Sequence, residues 1–154
     1  MYEVEKIKKD LKEKLGEYRY NHSLNVANIC KNLAVVYNID PNKAYIAGLL
    51  HDIAKEFTEE ENKYYLKKYH LPSRLLKDKY KKILHSYVGA CYVKEIYNMD
   101  EDIVNAIKYH TTAFPKMDIL AKIVFVADKI DPNKTYPGIE EERRLAYINI
   151  DASL

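Results

Sequence analysis

Cysteine and tryptophan are nearly absent from this sequence, which contains two cysteines and no tryptophan among its 154 residues. Cys30 and Cys91 lie far apart, each within a helical pattern, and neither belongs to a Cys-x-x-Cys or zinc-finger spacing. The spacing therefore argues against a structural zinc cluster and against a disulfide framework. We predict that both cysteines are buried, reduced thiols.

Long apolar runs and a strong excess of one charge are also missing. No stretch approaches the ~18 consecutive apolar residues of a membrane-spanning helix, so we expect no membrane partner. The net charge is only +2, and the 25 basic residues are interleaved with acids, so we expect no nucleic-acid partner. Acidic residues near the N-terminus exclude a secretory signal, and we predict a cytoplasmic protein.

What the sequence does contain is helical periodicity along nearly its whole length. Apolar residues make up 47% of the chain and charged residues 31%, an ordinary balance for a soluble globular protein. We predict an all-α fold and a single domain over residues 1–154. His22 is expected in the first turn of the second helix, with Arg19 just before it. The apolar stripes of the first two helices are Val4, Ile7, Leu11 and Leu15, followed by Leu24, Ala27, Cys30, Leu33, Ala34 and Tyr37.

Local signals mark where the next two helices begin. Asp40 and Pro41 are typical of an N-cap followed by proline at the first helical position. We expect the helix that they begin to continue through Ala44–Phe57, with Ala44, Ala47, Leu50 and Ala54 facing the core. Thr58 opens a capping-box pattern for a fourth helix over residues 59–70.

The second half of the chain predicts further helices separated by loops. Asp100 is expected to cap a helix that is followed by a loop at residues 111–115. The segment at residues 117–130 could form a strand by propensity, but it is longer than most strands, so we predict a helix. An amphipathic segment at residues 139–149 closes the chain. The helix that begins near His85 has as its predicted core positions Val88, Cys91, Tyr92 and Ile96.

The dipeptide His51-Asp52 is the centre of the candidate chemistry. Burying an imidazole and a carboxylate side by side costs free energy unless something compensates, and a bound metal is a common compensation. The alternative is that the pair faces water as ordinary surface. His70, beside a loop proline and among lysines, is expected at the surface. Further candidates lie at or beside the ends of apolar helical patterns, where side chains can reach a common cleft: His22, His85, His110 and Asp128.

Imidazole and carboxylate ligands suit iron, manganese, zinc, nickel or cobalt. Lys55 is four residues after His51, which on a helix places both on the same side. Beside a metal cleft, we therefore predict that Lys55 contacts phosphate instead of remaining a solvated lysine. For Arg19 and Arg143 we predict surface positions.

Five local strings resemble a known family in the same order along the chain. His22, His51-Asp52 and Asp128 follow the order H…HD…D that resembles the HD superfamily of metal-dependent phosphohydrolases. The resemblance covers residues 19–146, nearly the whole chain. The flanking strings resemble more narrowly the YqeK family: RYNHS at 19–23, HDIAK at 51–55, HSYVGA at 85–90, HTT at 110–112 and ADKIDP at 127–132.

The resemblance implies a helical HD-domain bundle with a metal site at its centre. It implies symmetric hydrolysis of diadenosine tetraphosphate into two ADP by metal-activated water. The implied metal is iron first, with manganese, cobalt, nickel or zinc as alternatives, in a mononuclear or dinuclear site.

The resemblance also implies roles for particular residues. The principal metal ligands would be His22, His51, Asp52 and Asp128. Of these, His22, Asp52 and Asp128 would also bind the substrate. Ligands of a second metal, or phosphate contacts, would be His85 and His110. Further phosphate contacts would be Lys55, Thr111 and Lys134. The residues expected to act directly in catalysis are Asp52 and Lys55.

The chain departs from the family pattern in two ways. Lys134 stands where the family has arginine, which keeps the charge but loses the bidentate fork. The family also continues with another helical segment, so we expect less complete coverage of the nucleotide by a chain that ends at Leu154.

Two other functions stay open at this stage. One is HD-type hydrolysis of another nucleotide, such as a nucleoside monophosphate, a guanosine polyphosphate or a cyclic nucleotide. The other is nucleotide or metal binding without catalysis. The oligomeric state is open as well, with a homodimer as one alternative.

Overall fold

The structure is a computed structural model that describes residues 2–112 and 117–154. The described residues form helices joined by turns, with no strand among them, which confirms the predicted all-α fold. The α-helices in these ranges are α1 Val4–Lys14, α2 Glu17–Val36, α3 Pro41–Leu50, α4 Glu59–Lys68, α5 Lys81–Tyr97, α6 Glu101–Lys108, α7 Ile119–Lys129 and α8 Ile139–Ala146. Short 3-10 helices are Ser73–Leu76, Asp78–Tyr80 and Ile150–Ser153.

Helix α3 lies at the centre of the bundle and begins where the sequence predicts. The Asp40 carboxylate accepts hydrogen bonds from the backbone N–H groups of Asn42 and Lys43, and Pro41 occupies the first turn. The helix packs against α2, α6 and α7. The four predicted core positions of this segment are all buried: Ala44, Ala47, Leu50 and Ala54.

Gly48 allows α2 and α3 to approach each other closely. A β-carbon at this position would lie 2.9 Å from both the Cα atom of Ala27 and the Sγ atom of Cys30. Backbone atoms cannot yield as the end of a flexible side chain can, so a larger residue would push the two helices apart. The close packing brings His22 of α2 beside His51 at the end of α3, with ring centroids 5.2 Å apart.

Helix α3 ends at Leu50, so the predicted continuation to Phe57 is wrong. His51 is the C-cap, and its backbone N–H donates to the Gly48 carbonyl, only three residues back, at 3.4 Å. Nδ1 of the His51 ring donates to the same carbonyl at 2.6 Å, which occupies an acceptor that a longer helix would need. The following residues form tight turns, so Lys55 does not share a helical face with His51.

Helix α2 begins at Glu17, earlier than the sequence predicts. Arg19 therefore lies inside the helix instead of before it, and His22 lies in the second turn instead of the first. No side chain at the N-cap position, Gly16, marks this start. The N–H of Gly16 instead donates to the carboxylate of Glu56 at 3.0 Å, a partner 40 residues away that no local pattern could reveal.

Two expectations for α5 and α6 are also corrected. Ile96 is 51% exposed and does not belong to the core. It is offset by about 80° from the buried Val88 around the helix, which turns it out of the buried stripe. Asp100 does precede α6, but its carboxylate accepts a hydrogen bond from the Tyr2 hydroxyl at 2.8 Å and does not cap the helix.

Other local predictions agree with the structure. Thr58 and Glu61 form the predicted capping box, each side chain accepting from the backbone N–H of the other residue. The segment at residues 117–130 contains α7, which confirms helix over strand. Of the predicted loop at residues 111–115, the first two residues form a turn and the others lie outside the described residues. No helix in the described ranges has the length and apolarity needed to cross a membrane.

Both cysteines are free, but only one is fully buried. Cys30 is buried between α2 and α3, whereas Cys91 on α5 is half-buried, which corrects the expectation for that residue. Burial raises the pKa of each thiol above its ordinary value. Both side chains are therefore protonated near neutral pH and are poor nucleophiles.

Candidate metal centre

Two imidazoles and two carboxylates from three parts of the chain meet at one point. His22 comes from α2, His51 and Asp52 from the turn after α3, and Asp128 from the last turn of α7. One possible ligand atom from each side chain lies within 4.8 Å of the others, a spacing that a single metal ion can bridge. Asp128 is partly exposed and the others are buried, so the cluster opens to solvent on one side.

Three histidines of this region are held through Nδ1, so that Nε2 of each faces the cluster. His22 donates from Nδ1 to the carboxylate of Asp131. His51 donates to the Gly48 carbonyl at 2.6 Å, and His110 donates to a backbone carbonyl of α6 at 2.7 Å. Proteins commonly orient histidine ligands of metals in this way.

The surroundings of the buried Nε2 atom of His51 indicate whether these residues fit a metal. It has no hydrogen-bond partner, yet it lies 3.3 Å from an oxygen of Asp52 and 3.5 Å from one of Asp128. An unpaired ring nitrogen buried beside two carboxylates is costly unless a cation or a proton lies between them. The donor set of imidazoles and carboxylates therefore fits a divalent transition metal.

The electrostatics of the cluster favour ionised carboxylates. Burial raises the pKa of Asp52, but His51 and His110 outweigh it and hold that pKa well below its ordinary value. Burial likewise raises the pKa of Asp128, but the neighbouring His22 and His51 outweigh it and hold that pKa well below its ordinary value. Burial also lowers the pKa of His51, but the two carboxylates raise it overall. The same negative field that attracts a proton attracts a metal ion.

His110 and His85 lie outside the four-residue group. Nε2 of His110 is 3.4 Å from Oδ1 of Asp52, and its ring centroid is 5.0 Å from that of His51. His85 on α5 is buried with Nδ1 unpaired. Burial and then the charge of Lys55 lower the pKa of His85 to about 4, so the ring is neutral near pH 7 and can bind a metal or accept a proton.

A cleft of about 220 Å³, the metal-side cleft, opens beside the cluster and is lined by Asp52, His110 and Asp128. The three residues predicted to contact phosphate also line it: Lys55, Thr111 and Lys134. The cationic side chains along its walls are Arg19, Lys55, Lys82, Lys129 and Lys134. Lys134 donates from Nζ to the Asp128 carbonyl at 2.7 Å, which holds it at the rim. Such a concentration of positive charge suits a polyphosphate.

Three residues of this region make contacts that the sequence does not predict. Arg19 and Arg143, expected at the surface, are both partly buried. Arg19 donates from Nη1 to Oδ2 of Asp52 at 3.2 Å, whereas Arg143 donates from Nη2 to the carbonyls of Asp131 and Lys134, at 2.9 and 3.0 Å. Asp131 is buried and was not predicted as a site residue. The sequence marks Asp131 in one way only: it lies in the ADKIDP string at 127–132, three residues after Asp128.

Comparisons with known proteins identify the family of this chain. The HD domain family matches residues 19–133. The symmetrical bis(5'-nucleosyl)-tetraphosphatase of Bacillus subtilis is 40% identical over 145 residues, which cover 94% of this chain and 77% of that protein. The protein of the same name from Staphylococcus aureus is 42% identical over 147 residues, covering 94% and 74%.

A solved structure has the same fold over nearly the whole chain. It is the crystal structure of a predicted HD superfamily hydrolase involved in NAD metabolism from Clostridium acetobutylicum. The two chains are 36% identical, with a TM-score of 0.89, over 99% of this chain and 82% of the other. Together with the matched sequences, this similarity shows that the chain belongs to the HD domain family and, within it, to the YqeK family of symmetrical bis(5'-nucleosyl)-tetraphosphatases.

Proposed function

We propose that this protein is a metal-dependent hydrolase that cleaves diadenosine tetraphosphate symmetrically into two ADP. The observation that carries the proposal is the junction of two features: a cluster of metal-type ligands and a cleft with five cationic side chains. The first suits phosphoryl chemistry and the second suits a substrate with several phosphates. The names of the Bacillus and Staphylococcus relatives support the choice of substrate.

His22, His51, Asp52 and Asp128 would hold the metal, because their ligand atoms already lie together. Iron is our first choice, with manganese, cobalt, nickel or zinc as alternatives for the same ligand types. When bound, such a metal neutralises charge on phosphoryl oxygens and lowers the pKa of the attacking water. His110 and His85 would either bind a second metal or contact phosphate.

The remaining residues of the cleft would bind and orient the phosphate chain. Lys55 and Lys134 would neutralise the non-bridging oxygens, and Thr111 would donate a hydrogen bond from its hydroxyl. Arg19 is fixed against Asp52, so its remaining N–H groups are positioned to bind a phosphate oxygen next to the metal ligands. We assign Lys55 a catalytic part as well, because charge builds up on the departing phosphate as the bond breaks.

The reaction consumes one water molecule and breaks one bond. The water oxygen bonds to one of the two inner phosphorus atoms, and the central P–O–P bridge breaks on the side of that phosphorus. The bridging oxygen leaves with the other half, so each half becomes an ADP and the water protons pass to solvent. ADP is a stable leaving group, and the chain therefore needs no dedicated general acid.

The test is hydrolysis of diadenosine tetraphosphate by purified protein before and after metal removal. We expect chelation to abolish hydrolysis and added manganese or ferrous iron to restore it. Asp52→Ala should be inactive even with added metal and should bind less metal. Asp151→Ala is the control and should behave as wild type, because Asp151 belongs neither to the ligand group nor to the metal-side cleft. Full hydrolysis by protein shown to contain no metal would overturn the proposal.

A further inference from the structure

A second cleft adjoins the metal-side cleft and shares one wall with it. This outer cleft, of about 460 Å³, lies where α2 begins and is lined by Tyr18, Lys81 and His85 among others. Arg19 and Lys55 line both clefts, so their side chains form the shared wall. A linear molecule that crosses this wall would have its middle between two cationic side chains and next to the metal ligands.

Each cleft has an aromatic ring beside a cationic side chain, on either side of the shared wall. The metal-side cleft contains the ring of Phe125, with the Lys129 ammonium 5.7 Å from its centroid. The outer cleft contains the ring of Tyr18, with the Arg19 guanidinium 5.4 Å from its centroid. Each cleft therefore offers one aromatic surface with an adjacent cation, a combination that suits a nucleobase joined to phosphate.

Consecutive lysines at the beginning of α5 are also divided between the clefts. Lys82 lines the metal-side cleft and Lys81 lines the outer cleft. Two carboxylates oppose this charge in the outer cleft, those of Glu17 and Glu56. The carboxylate of Glu56 already accepts the N–H of Gly16 at 3.0 Å, which ties the turn that carries Lys55 to the beginning of α2.

The size of the metal-side cleft also argues for a second subsite. Its volume of about 220 Å³ is below the range of roughly 300–1,000 Å³ that is usual for ligand pockets. A molecule with two nucleosides and four phosphates exceeds it. Cleavage at the central bridge further requires that both halves, which are equal in length about the bridging oxygen, be accommodated beside the metal ligands.

On the basis of the proposed function, we propose that the outer cleft is a second nucleotide subsite that holds one ADP half of the substrate. The exposed ring of Tyr18 provides the stacking surface for its base, and Lys81 contacts its phosphates. The other half occupies the metal-side cleft, with Phe125 as the corresponding ring. Arg19 and Lys55 hold the central phosphates between the halves. Because both products are ADP, the metal-loaded protein binds two ADP molecules per chain.

The experiment is a calorimetric titration of the manganese-loaded protein with ADP, combined with kinetics on diadenosine tetraphosphate. We expect two ADP sites in the wild type. Tyr18→Ala should weaken one site about tenfold and raise KM about tenfold with kcat nearly unchanged, because stacking is lost and the metal ligands are untouched. Lys81→Ala should weaken the same site. Tyr64→Ala is the matched control, since Tyr64 is 50% exposed beside a lysine and lines neither cleft.

A single ADP site in the wild type would overturn the second subsite, as would two sites that remain unchanged in both the Tyr18 and the Lys81 variants. Failure of the proposed function gives a different result. If the wild type binds two ADP, with one site weakened by Tyr18→Ala, but hydrolyses no diadenosine tetraphosphate, the subsite stands and the substrate assignment falls.

Discussion

The imidazole of His22 donates a hydrogen bond from Nδ1 to the carboxylate of Asp131, and both side chains are buried. This contact joins α2 to the residues just after α7 and turns Nε2 of His22 toward Asp128, 2.8 Å away. Asp131 is itself held by the Asn25 amide at 3.2 Å and by the backbone N–H of Asn133 at 3.0 Å. The orientation of one candidate ligand thus depends on a carboxylate that is not among the four clustered ligands.

Replacement of Asp131 should therefore weaken metal binding while leaving the four ligands in place. Loss of such a supporting group typically lowers metal affinity about 10- to 100-fold. We expect Asp131→Asn, which keeps an oxygen acceptor, to be at the lower end and Asp131→Ala at the upper end. Competition with a fluorescent chelator would measure the affinities. Asp151→Asn is the control for loss of a carboxylate elsewhere. Equal metal affinity for the wild type and both Asp131 variants would show that Asp131 does not hold His22 in its metal-binding orientation.

Gly48 connects helix packing to the metal site, and its replacement should affect both. A β-carbon there meets Ala27 and Cys30 at 2.9 Å, and the Gly48 carbonyl accepts the His51 ring N–H. We expect Gly48→Ala to lower the free energy of unfolding by about 1–3 kcal/mol through overpacking, and to weaken metal binding. Urea denaturation of the metal-free protein would measure the first effect.

Gly89 provides the matched control for that substitution. It also lies in a helix, but its nearest neighbour to an added β-carbon is a side-chain methyl of Ile107 at 3.4 Å. Gly89→Ala should therefore be tolerated, with stability unchanged or raised by up to about 1 kcal/mol from higher helix propensity. If both variants lose the same stability, close approach of α2 and α3 at Gly48 is not the cause.

Lys134 should contribute to substrate binding through its charge. We expect Lys134→Ala to lower kcat/KM for diadenosine tetraphosphate about 10- to 100-fold, the range that corresponds to one lost hydrogen bond to a charged group. Lys134→Arg should keep or improve activity, because the guanidinium can bind phosphate through two N–H groups. The exposed Lys63→Ala is the control. Wild-type kinetics for Lys134→Ala would remove this residue from the phosphate site.

Metal binding should stabilise the native protein. With free metal at about 100 times its dissociation constant, the gain is about 2.7 kcal/mol, which corresponds to a rise in Tm of about 5–10 °C for a domain of this size. We expect manganese to produce this rise in the wild type but not in Asp52→Ala. An equal rise in the two proteins would place the stabilising metal away from His51 and Asp52. Differential scanning calorimetry with and without chelator would provide the comparison.

Features that depend on nearby residues were predictable from the sequence. The Asp40 cap and the Thr58–Glu61 box each involve groups within three residues of one another, so their patterns are visible in a short window. The histidines and Asp128 could be recognised as candidate ligands because each lies near the end of an apolar helical pattern. The structure places four of the candidate residues close together.

Features that depend on distant contacts were not predictable. The partners His22 and Asp131 are 109 residues apart, and Arg19 and Asp52 are 33 apart, so no local pattern connects them. The sequence does not predict the end of α3 at Leu50 for another reason. Buried apolar residues continue beyond it, and only the contact of the His51 ring with a carbonyl of the helix reveals the change.

Product analysis tests the central claim most directly. The manganese- or iron-loaded protein would be incubated with diadenosine tetraphosphate, and the nucleotides separated by ion exchange, with Asp52→Ala run in parallel. We predict ADP as the sole nucleotide product, at two per substrate consumed, and none from the variant. ATP and AMP in equal amounts would contradict symmetric cleavage, and an undiminished ADP yield from Asp52→Ala would contradict the proposed metal centre.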